Sequence, residues 1–197
     1  MVDHPRVFFL GPAGAGKTTA LSATVEELLR AGWGGEIITI EDCQRDVCPR
    51  GREDGTYFYN SDGALVLLER ERQAAAARDR FVERCKAAVA RGFVAELGQP
   101  HAAVFLLQRL SPVLEGGLVV HVTAPLSIRK GRNEARTDLQ MPEEVLAWIE
   151  EMLIPEHRGR LEQAGATVRE LESVVPLDLF LGKVRTLVKE WRHGISR

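Results

Sequence analysis

The chain is poor in cysteine, has no excess of charge of either sign and contains no long apolar run. Its 197 residues include three cysteines, an odd number and too few for a disulfide framework, which argues against a small disulfide-stapled domain. The formal net charge is −2, so no global field draws the chain to nucleic acid or to a membrane surface. No stretch approaches the length of a membrane-spanning helix, and no basic N-terminal segment precedes a long apolar one. We therefore expect a cytoplasmic protein with free thiols in or near its core.

Short apolar runs alternate with segments of helical period, and this alternation predicts an α/β fold. Hydrophobic residues make up 45% of the chain and charged residues 27%, enough for a core and a solvated surface in a single domain over 1–197. Residues 43–62 have no clear period and are predicted to form an irregular loop. We expect a five-stranded parallel sheet with helices on both faces and ligands at the carboxyl ends of the strands. The predicted strands are 6–10, 36–40, 92–96, 118–122 and 166–171, and the predicted helices are 18–30, 62–91, 101–110, one from 142 onward, and 177–193.

Residues 11–18, called the P-loop from here on, match the pattern G-x-x-x-x-G-K-[ST] directly after the first predicted strand. Small residues let backbone N–H groups turn inward around a phosphate, and the N-terminus of the following helix adds positive potential. Lys17 is expected to neutralise β- and γ-phosphate oxygens, and the Thr18 hydroxyl to take a place on Mg²⁺. The pattern predicts the three-layer sandwich of a P-loop NTPase, with ATP bound by Gly11, Pro12, Ala13, Gly14, Ala15, Gly16, Lys17, Thr18 and Thr19.

Three features resemble the P-loop kinases of the nucleoside-monophosphate-kinase-like fold, and among them the polynucleotide-kinase-like proteins. The P-loop is followed by Thr19, as is common in these kinases. Predicted strand two ends in Asp42-Cys-Gln-Arg45, similar to the Asp-x-x-Arg acceptor signature of polynucleotide kinases and of adenylylsulfate kinases. Arg132-Asn-Glu-Ala-Arg136, followed by Met141-Pro-Glu-Glu-Val-Leu146, is similar to their lid and the helix after it. The resemblance implies an ATP-dependent kinase with an alcohol group as acceptor and a lid at about 125–140.

Asp42 is the candidate catalytic base. A carboxylate at the end of a strand beside the P-loop strand can orient an acceptor hydroxyl facing the γ-phosphate and accept its proton. Glu41 is its rival, because adjacent strand residues point to opposite faces. Arg45, one helical turn beyond Asp42, is expected to hold an anionic or polar part of the acceptor. Asp42 and Arg45 are therefore the predicted acceptor-binding residues.

The predicted lid contributes two arginines. Arg132 and Arg136 are four residues apart and would share one face of a helix. Planar guanidinium groups suit the oxygens of a transferring phosphoryl group better than lysines, because each can donate two parallel hydrogen bonds. We expect both to be catalytic and the lid to exclude water from the reaction.

Glu96 is a candidate for the metal shell because it ends predicted strand three, where many P-loop enzymes carry an acidic residue acting on Mg²⁺ through water. The following Leu-Gly-Gln-Pro100 departs from the Asp-Gly-x-Pro of many nucleotide kinases. The five histidines lack the spacing of metal ligands, so Thr18 and Glu96 with nucleotide-bound Mg²⁺ form the predicted metal site.

The acceptor is left open among three hypotheses. The leading one is a hydroxyl on a nucleotide or nucleic-acid end, including a hydroxymethylated base in DNA, because of the Asp-x-x-Arg and lid resemblances. The second is a small metabolite or nucleoside. The third is a nucleotide-hydrolysing switch without an acceptor, although we find no N-K-x-D element that would indicate guanine specificity.

Overall fold

A computed structural model describes residues 4–47, 57–59, 65–67, 71–98, 101–135, 146, 155–173 and 176–194. In chain order its elements are β1 (Arg6–Leu10), α1 (Lys17–Arg30), β2 (Glu36–Thr39), α2 (Ile40–Val47), β3 (Tyr57–Tyr59), β4 (Leu65–Leu67), α3 (Glu71–Ala88), β5 (Phe93–Leu97), α4 (Ala102–Arg109), α5 (Ser111–Leu114), β6 (Leu118–Thr123), α6 (Leu126–Glu134), α7 (Pro155–Gln163), β7 (Thr167–Glu172) and α8 (Leu177–Arg192). None of the helices in this part of the chain is long and apolar enough to cross a membrane.

Five parallel strands form the central sheet, in the order β2-β5-β1-β6-β7. The prediction of a five-stranded parallel sheet is confirmed, as are its helices on both faces. Because β1 lies in the middle, the turn that follows it opens at the centre of the carboxyl edge. This is the position where open α/β sheets bind ligands.

The sheet separates two apolar cores. One face of the sheet, with Phe8 and Phe93 in an edge-to-face contact at 5.1 Å between ring centroids, is covered by α2, α3, α4, α5 and α7. On the other face α1 and α8 pack against Phe9, Val94 and Val120. The central strands are buried on both sides, which explains their nearly continuous apolar sequences.

Two expectations from the sequence are wrong. Strand β2 ends at Thr39 and α2 begins at Ile40, so Asp42 lies in the first turn of a helix and not at a strand end. The neighbour of β1 on that side is β5, not β2. The physical reason is burial: β5 is almost wholly buried and suits the sheet interior, whereas Ile37 on β2 is 42% exposed and suits an edge.

The segment between α2 and α3 also differs from expectation. Strands β3 and β4 pair antiparallel within the predicted loop and helix region, and α3 begins at Glu71 instead of near residue 62. The predicted lid at 125–140 contains α6 as far as Glu134. Of the helix predicted from residue 142, only Leu146, buried and helical, is among the described residues.

Candidate active site

The P-loop connects β1 to α1 in the strand–turn–helix arrangement that the sequence predicted. Gly16 precedes α1 in a left-handed conformation with φ 99°, and no side chain caps the helix. The first turn of α1 carries no acidic residue. The first N–H groups of α1 and the positive end of its dipole are therefore directed at the P-loop, as an anion site requires.

Gly11 is required where the P-loop leaves the sheet. A Cβ atom built on Gly11 would lie 2.1 Å from the carbonyl oxygen of Val122 on β6, a contact that no side chain tolerates. The P-loop therefore packs directly on β6 at the carboxyl edge.

Lys17 lies with its ammonium group between the P-loop and β5. Its Nζ donates a hydrogen bond to the Pro12 carbonyl oxygen at 3.0 Å and lies 3.8 Å from Glu96 Oε1. Only 6% of the residue is exposed. A cation that is bound to the loop itself is held where phosphate oxygens would enter.

Glu96 and Thr18 come together as a pair of oxygen donors. The Thr18 hydroxyl donates to Glu96 Oε2 at 2.9 Å and lies 3.2 Å from Oε1. Mg²⁺ prefers oxygen ligands at 2.0–2.1 Å in octahedral geometry, and neighbouring ligands of such an ion are about 2.9 Å apart. The chemistry and spacing of these two groups thus fit a Mg²⁺ site completed by water and phosphate oxygens.

Asp42 has both carboxylate oxygens engaged at the start of α2. Thr39 Oγ1 donates to Asp42 Oδ2 at 2.7 Å and in turn accepts the Asp42 backbone N–H at 3.0 Å, an arrangement that caps the helix. Arg45 Nη1 donates to Asp42 Oδ1 at 3.2 Å. Thr39 is in register with Glu96 on β5, so this turn lies at the same carboxyl edge as the P-loop. The exposed Glu41 is next to it.

Arg132 lies on α6 against the outside of the P-loop. Its Nη1 donates to the Gly14 carbonyl oxygen at 3.0 Å and to Ser173 Oγ at 2.8 Å, and its Nη2 donates to the Ser173 carbonyl oxygen at 2.5 Å. These contacts are with protein atoms, and a direct contact with phosphate stays a prediction. Arg136, the second predicted lid arginine, lies outside the described residues.

No protein-family model and no curated protein matches the chain. Solved structures do match. A gluconokinase from Sinorhizobium meliloti aligns at 15% identity with a TM-score of 0.61, over 98% of this chain and 96% of its own. A sugar kinase from a Janibacter species gives 14% and 0.59 over 94% and 95%, and a shikimate kinase from Acinetobacter baumannii, solved with shikimate, gives 19% and 0.53 over 98% and 93%.

The chain has the fold of these kinases. The match covers nearly the whole length of each protein, so it includes the elements from β1 to α8. At such low identity the likeness concerns the fold, and the chemistry has to be argued from the residues of this site.

Two residues that contact the P-loop edge of the sheet were not predicted from the sequence. Ser173, 2% exposed, follows β7 and donates a hydrogen bond to the Ala15 carbonyl oxygen of the P-loop. Thr39 forms the cap of α2. A polar residue directly after a strand is the signal that marks Ser173, and a Thr three residues before an acid marks Thr39.

Arg129 is the most buried cation among the described residues. It is 1% exposed, its Nε donates to the Ala124 carbonyl oxygen at 3.1 Å, and its Nη1 donates to the Leu146 carbonyl oxygen at 2.8 Å. It therefore fastens α6 to the segment that follows the predicted lid.

His121 on β6 is a buried histidine close to the site. It is paired in register with Leu10, the last residue of β1 before the P-loop. Burial lowers the pKa of His121, and the charge of Lys17 lowers it further, while Glu170 opposes the shift. His121 is consequently neutral near pH 7.

Proposed function

We propose that this chain is an ATP-dependent kinase that transfers the γ-phosphate to an alcohol group of a small metabolite. The observation that carries the proposal is the grouping of Lys17, Thr18 and Glu96 around an uncapped helix N-terminus. Such a grouping supplies a cation for phosphate, oxygen donors for Mg²⁺ and backbone amides for the β-phosphate. The fold shared with a gluconokinase, a sugar kinase and a shikimate kinase supports a kinase over a hydrolytic switch.

The proposed reaction uses the chain's own groups as follows. The P-loop amides and Lys17 bind the β- and γ-phosphates, and Thr18 with Glu96 would hold Mg²⁺, which neutralises charge that develops on the phosphate oxygens. Asp42 orients the acceptor hydroxyl and accepts its proton. The acceptor oxygen bonds to the γ-phosphorus as the bond from that phosphorus to the β–γ bridging oxygen breaks, and ADP leaves. Arg45 is proposed to hold a polar group of the acceptor once that acceptor displaces it from Asp42.

A small acceptor is favoured over a nucleic acid by the charges around α2 and α3. Arg45, Arg80 and Arg84 are paired with Asp42, Asp46 and Glu36 at 3.2, 3.3 and 2.8 Å. Arginines that are already neutralised by carboxylates offer little to a chain of phosphates, whose binding depends on uncompensated positive charge. The gluconokinase, the sugar kinase and the shikimate kinase that share the fold also favour a small acceptor.

A nucleotide or nucleic-acid acceptor is the second candidate. It is supported by the resemblance of Asp42-Cys-Gln-Arg45 to the acceptor signature of polynucleotide kinases. We also propose a cytoplasmic location, which suits the buried free thiols of Cys43 and Cys85.

An acceptor screen with γ-labelled ATP and Mg²⁺ tests the proposal. It compares sugars, sugar acids and hydroxy acids with nucleosides, 5′-hydroxyl oligonucleotides and hydroxymethyluracil DNA. Label on a small hydroxyl compound, absent with Lys17→Met, is the expected result. Label on an oligonucleotide instead would favour the second candidate, and label only in inorganic phosphate would favour a hydrolytic switch.

A further inference from the structure

The outer surface of the P-loop is held by a side-chain pair that we call the brace, Arg132 and Ser173. Arg132 Nη1 donates to the Gly14 carbonyl oxygen at 3.0 Å and to Ser173 Oγ at 2.8 Å. The Ser173 hydroxyl in turn donates a hydrogen bond to the Ala15 carbonyl oxygen. Two successive P-loop carbonyl groups thus have side-chain donors on the side facing away from the phosphate site.

Planarity of the peptide bond transmits this restraint to the inner side of the P-loop. In a trans peptide the C=O and the following N–H point in opposite directions. A donor that holds the Ala15 carbonyl outward therefore directs the Gly16 N–H inward. The Ala15 N–H donates to the Pro12 carbonyl oxygen at 3.2 Å, so the Gly14–Ala15 peptide is fixed at both ends.

The P-loop needs such a restraint because of its composition. Gly14 and Gly16 have φ of 76° and 99°, and peptides that flank glycines rotate at little cost. A Cβ built on Gly16 would be 3.3 Å from Ser173 Oγ and 3.7 Å from Arg132 Nη1, so the brace lies directly against this residue. Without it, we expect the amide groups to sample orientations that do not bind phosphate.

The brace is itself anchored to the sheet. The Ser173 N–H donates to the Thr123 carbonyl oxygen of β6 at 2.9 Å, and the Arg132 Nη2 donates to the Ser173 carbonyl oxygen. These bonds are partly buried and begin at a guanidinium, and such a chain is stronger than its members alone because each bond polarises the next. These bonds therefore hold the P-loop amide groups in a fixed position relative to β6, β7 and α6.

We propose that Arg132 and Ser173 are positioning residues that orient the phosphate-binding amides of the P-loop from outside. The inference rests on the proposed nucleotide binding. It assigns Arg132 an action through the protein backbone, and it assigns a role to Ser173, which was not predicted from the sequence. The ligand class affected is any nucleotide that carries a β-phosphate.

The test is the affinity of full-length variants for ADP and for adenosine, with adenosine measured by competition. Ser173→Ala should weaken ADP binding about tenfold, since a lost hydrogen bond to a buried partner costs about that factor. Adenosine has no phosphate, so its affinity should not change. Ser173→Thr keeps the hydroxyl and should retain ADP affinity, and Thr167→Ala, at the far end of β7, is the matched control.

Coupling between the two residues gives a second readout. Arg132→Lys keeps the charge but cannot donate to Gly14 and Ser173 in the same fork, and the double variant with Ser173→Ala should lose little more than the worse single variant. If Ser173→Ala does not fold, Ser173→Cys, a weaker donor, replaces it in the same measurements.

Two outcomes overturn the inference in distinguishable ways. If the wild type binds ADP and the folded Ser173 variant binds it with the same affinity, the brace is refuted. The kinase proposal then still stands. An equal loss of ADP and adenosine would show a general structural defect and would also refute it. Failure of the wild-type chain to bind ADP would refute the proposed function, and the brace with it.

Discussion

The Glu96 carboxylate connects the two P-loop side chains with the clearest chemical roles, because it accepts the Thr18 hydroxyl hydrogen bond at 2.9 Å and lies 3.8 Å from Lys17 Nζ. Glu96 is in register with Phe9 on β1 and therefore projects toward the face that carries α1. One acidic side chain at the end of β5 thus lies beside both the proposed metal ligand and the proposed phosphate ligand.

Replacing Lys17 by Met should abolish most phosphotransfer. The unbranched apolar side chain of Met keeps most of the volume but removes the cation that offsets charge on the β- and γ-phosphates, a loss worth about 100-fold or more in turnover. The check is turnover with ATP and the acceptor identified in the screen, alongside thermal unfolding. Lys130→Met, on α6, is the control for loss of one positive charge, and turnover that survives Lys17→Met would contradict the P-loop assignment.

Glu96→Gln should raise the Mg²⁺ concentration needed for half-maximal activity by about tenfold or more. Loss of the carboxylate's charge weakens a metal site in which it orients the ligands, and such changes typically cost 10- to 100-fold in metal affinity. A Mg²⁺ titration at saturating ATP measures the shift. Glu83→Gln, an exposed acid of α3, serves as the control. An unchanged titration curve would remove Glu96 from the metal site.

Asp42→Asn should leave ATP binding near wild type while transfer falls by about 100-fold or more. An amide can orient a hydroxyl but cannot take its proton, and positioned bases contribute about 10²–10⁴-fold. A titration with a fluorescent ATP analogue and an acceptor assay at saturating ATP are run on the same sample. Glu41→Gln is the matched comparison. A loss of transfer confined to that variant would assign the role of base to Glu41. Lost nucleotide binding in Asp42→Asn would show that Asp42 acts on the metal, or that its part in the helix cap supports the nucleotide site.

His121 should make the fold less stable as the pH falls. Burial first, and Lys17 second, hold the pKa of His121 below its ordinary value, so the unfolded chain takes up the proton more readily than the folded one. This contribution to stability is complete above about pH 6.5 and is lost as the pH falls through the lowered pKa. The free energy of unfolding, measured in urea, should therefore decline more steeply from about pH 7 to about pH 5 for wild type than for His121→Phe. Parallel curves would show that His121 does not govern the decline.

The parts of the site that are contiguous in sequence could be predicted. The P-loop follows a strand and opens a helix within eight residues, so its sequence pattern predicts the elements on either side of it. The structure confirms that strand–turn–helix arrangement. The five sheet strands could be located because each is a short apolar run, and their observed bounds differ from the predicted ones by at most one residue.

The relationships that depend on distant parts of the chain could not be predicted. The insertion of β5 between β1 and β2 depends on which strand is more buried in the finished sheet. The contact of Ser173 with Ala15 joins residues 158 positions apart. Strands β3 and β4 have three residues each, too short for an alternating pattern to be recognised. Asp42 was misplaced on a strand although Thr39 and Asp42 have the spacing of a helix cap.

The central claim is that the γ-phosphate passes from ATP to an organic hydroxyl. The most direct measurement incubates the wild-type chain with γ-labelled ATP, Mg²⁺ and a mixture of small hydroxyl metabolites, and then separates organic phosphate esters from inorganic phosphate. The account predicts label in an organic ester whose formation requires the wild-type chain and is lost with Lys17→Met and with Asp42→Asn. Label found only in inorganic phosphate, at a rate that Asp42→Asn does not change, would contradict it.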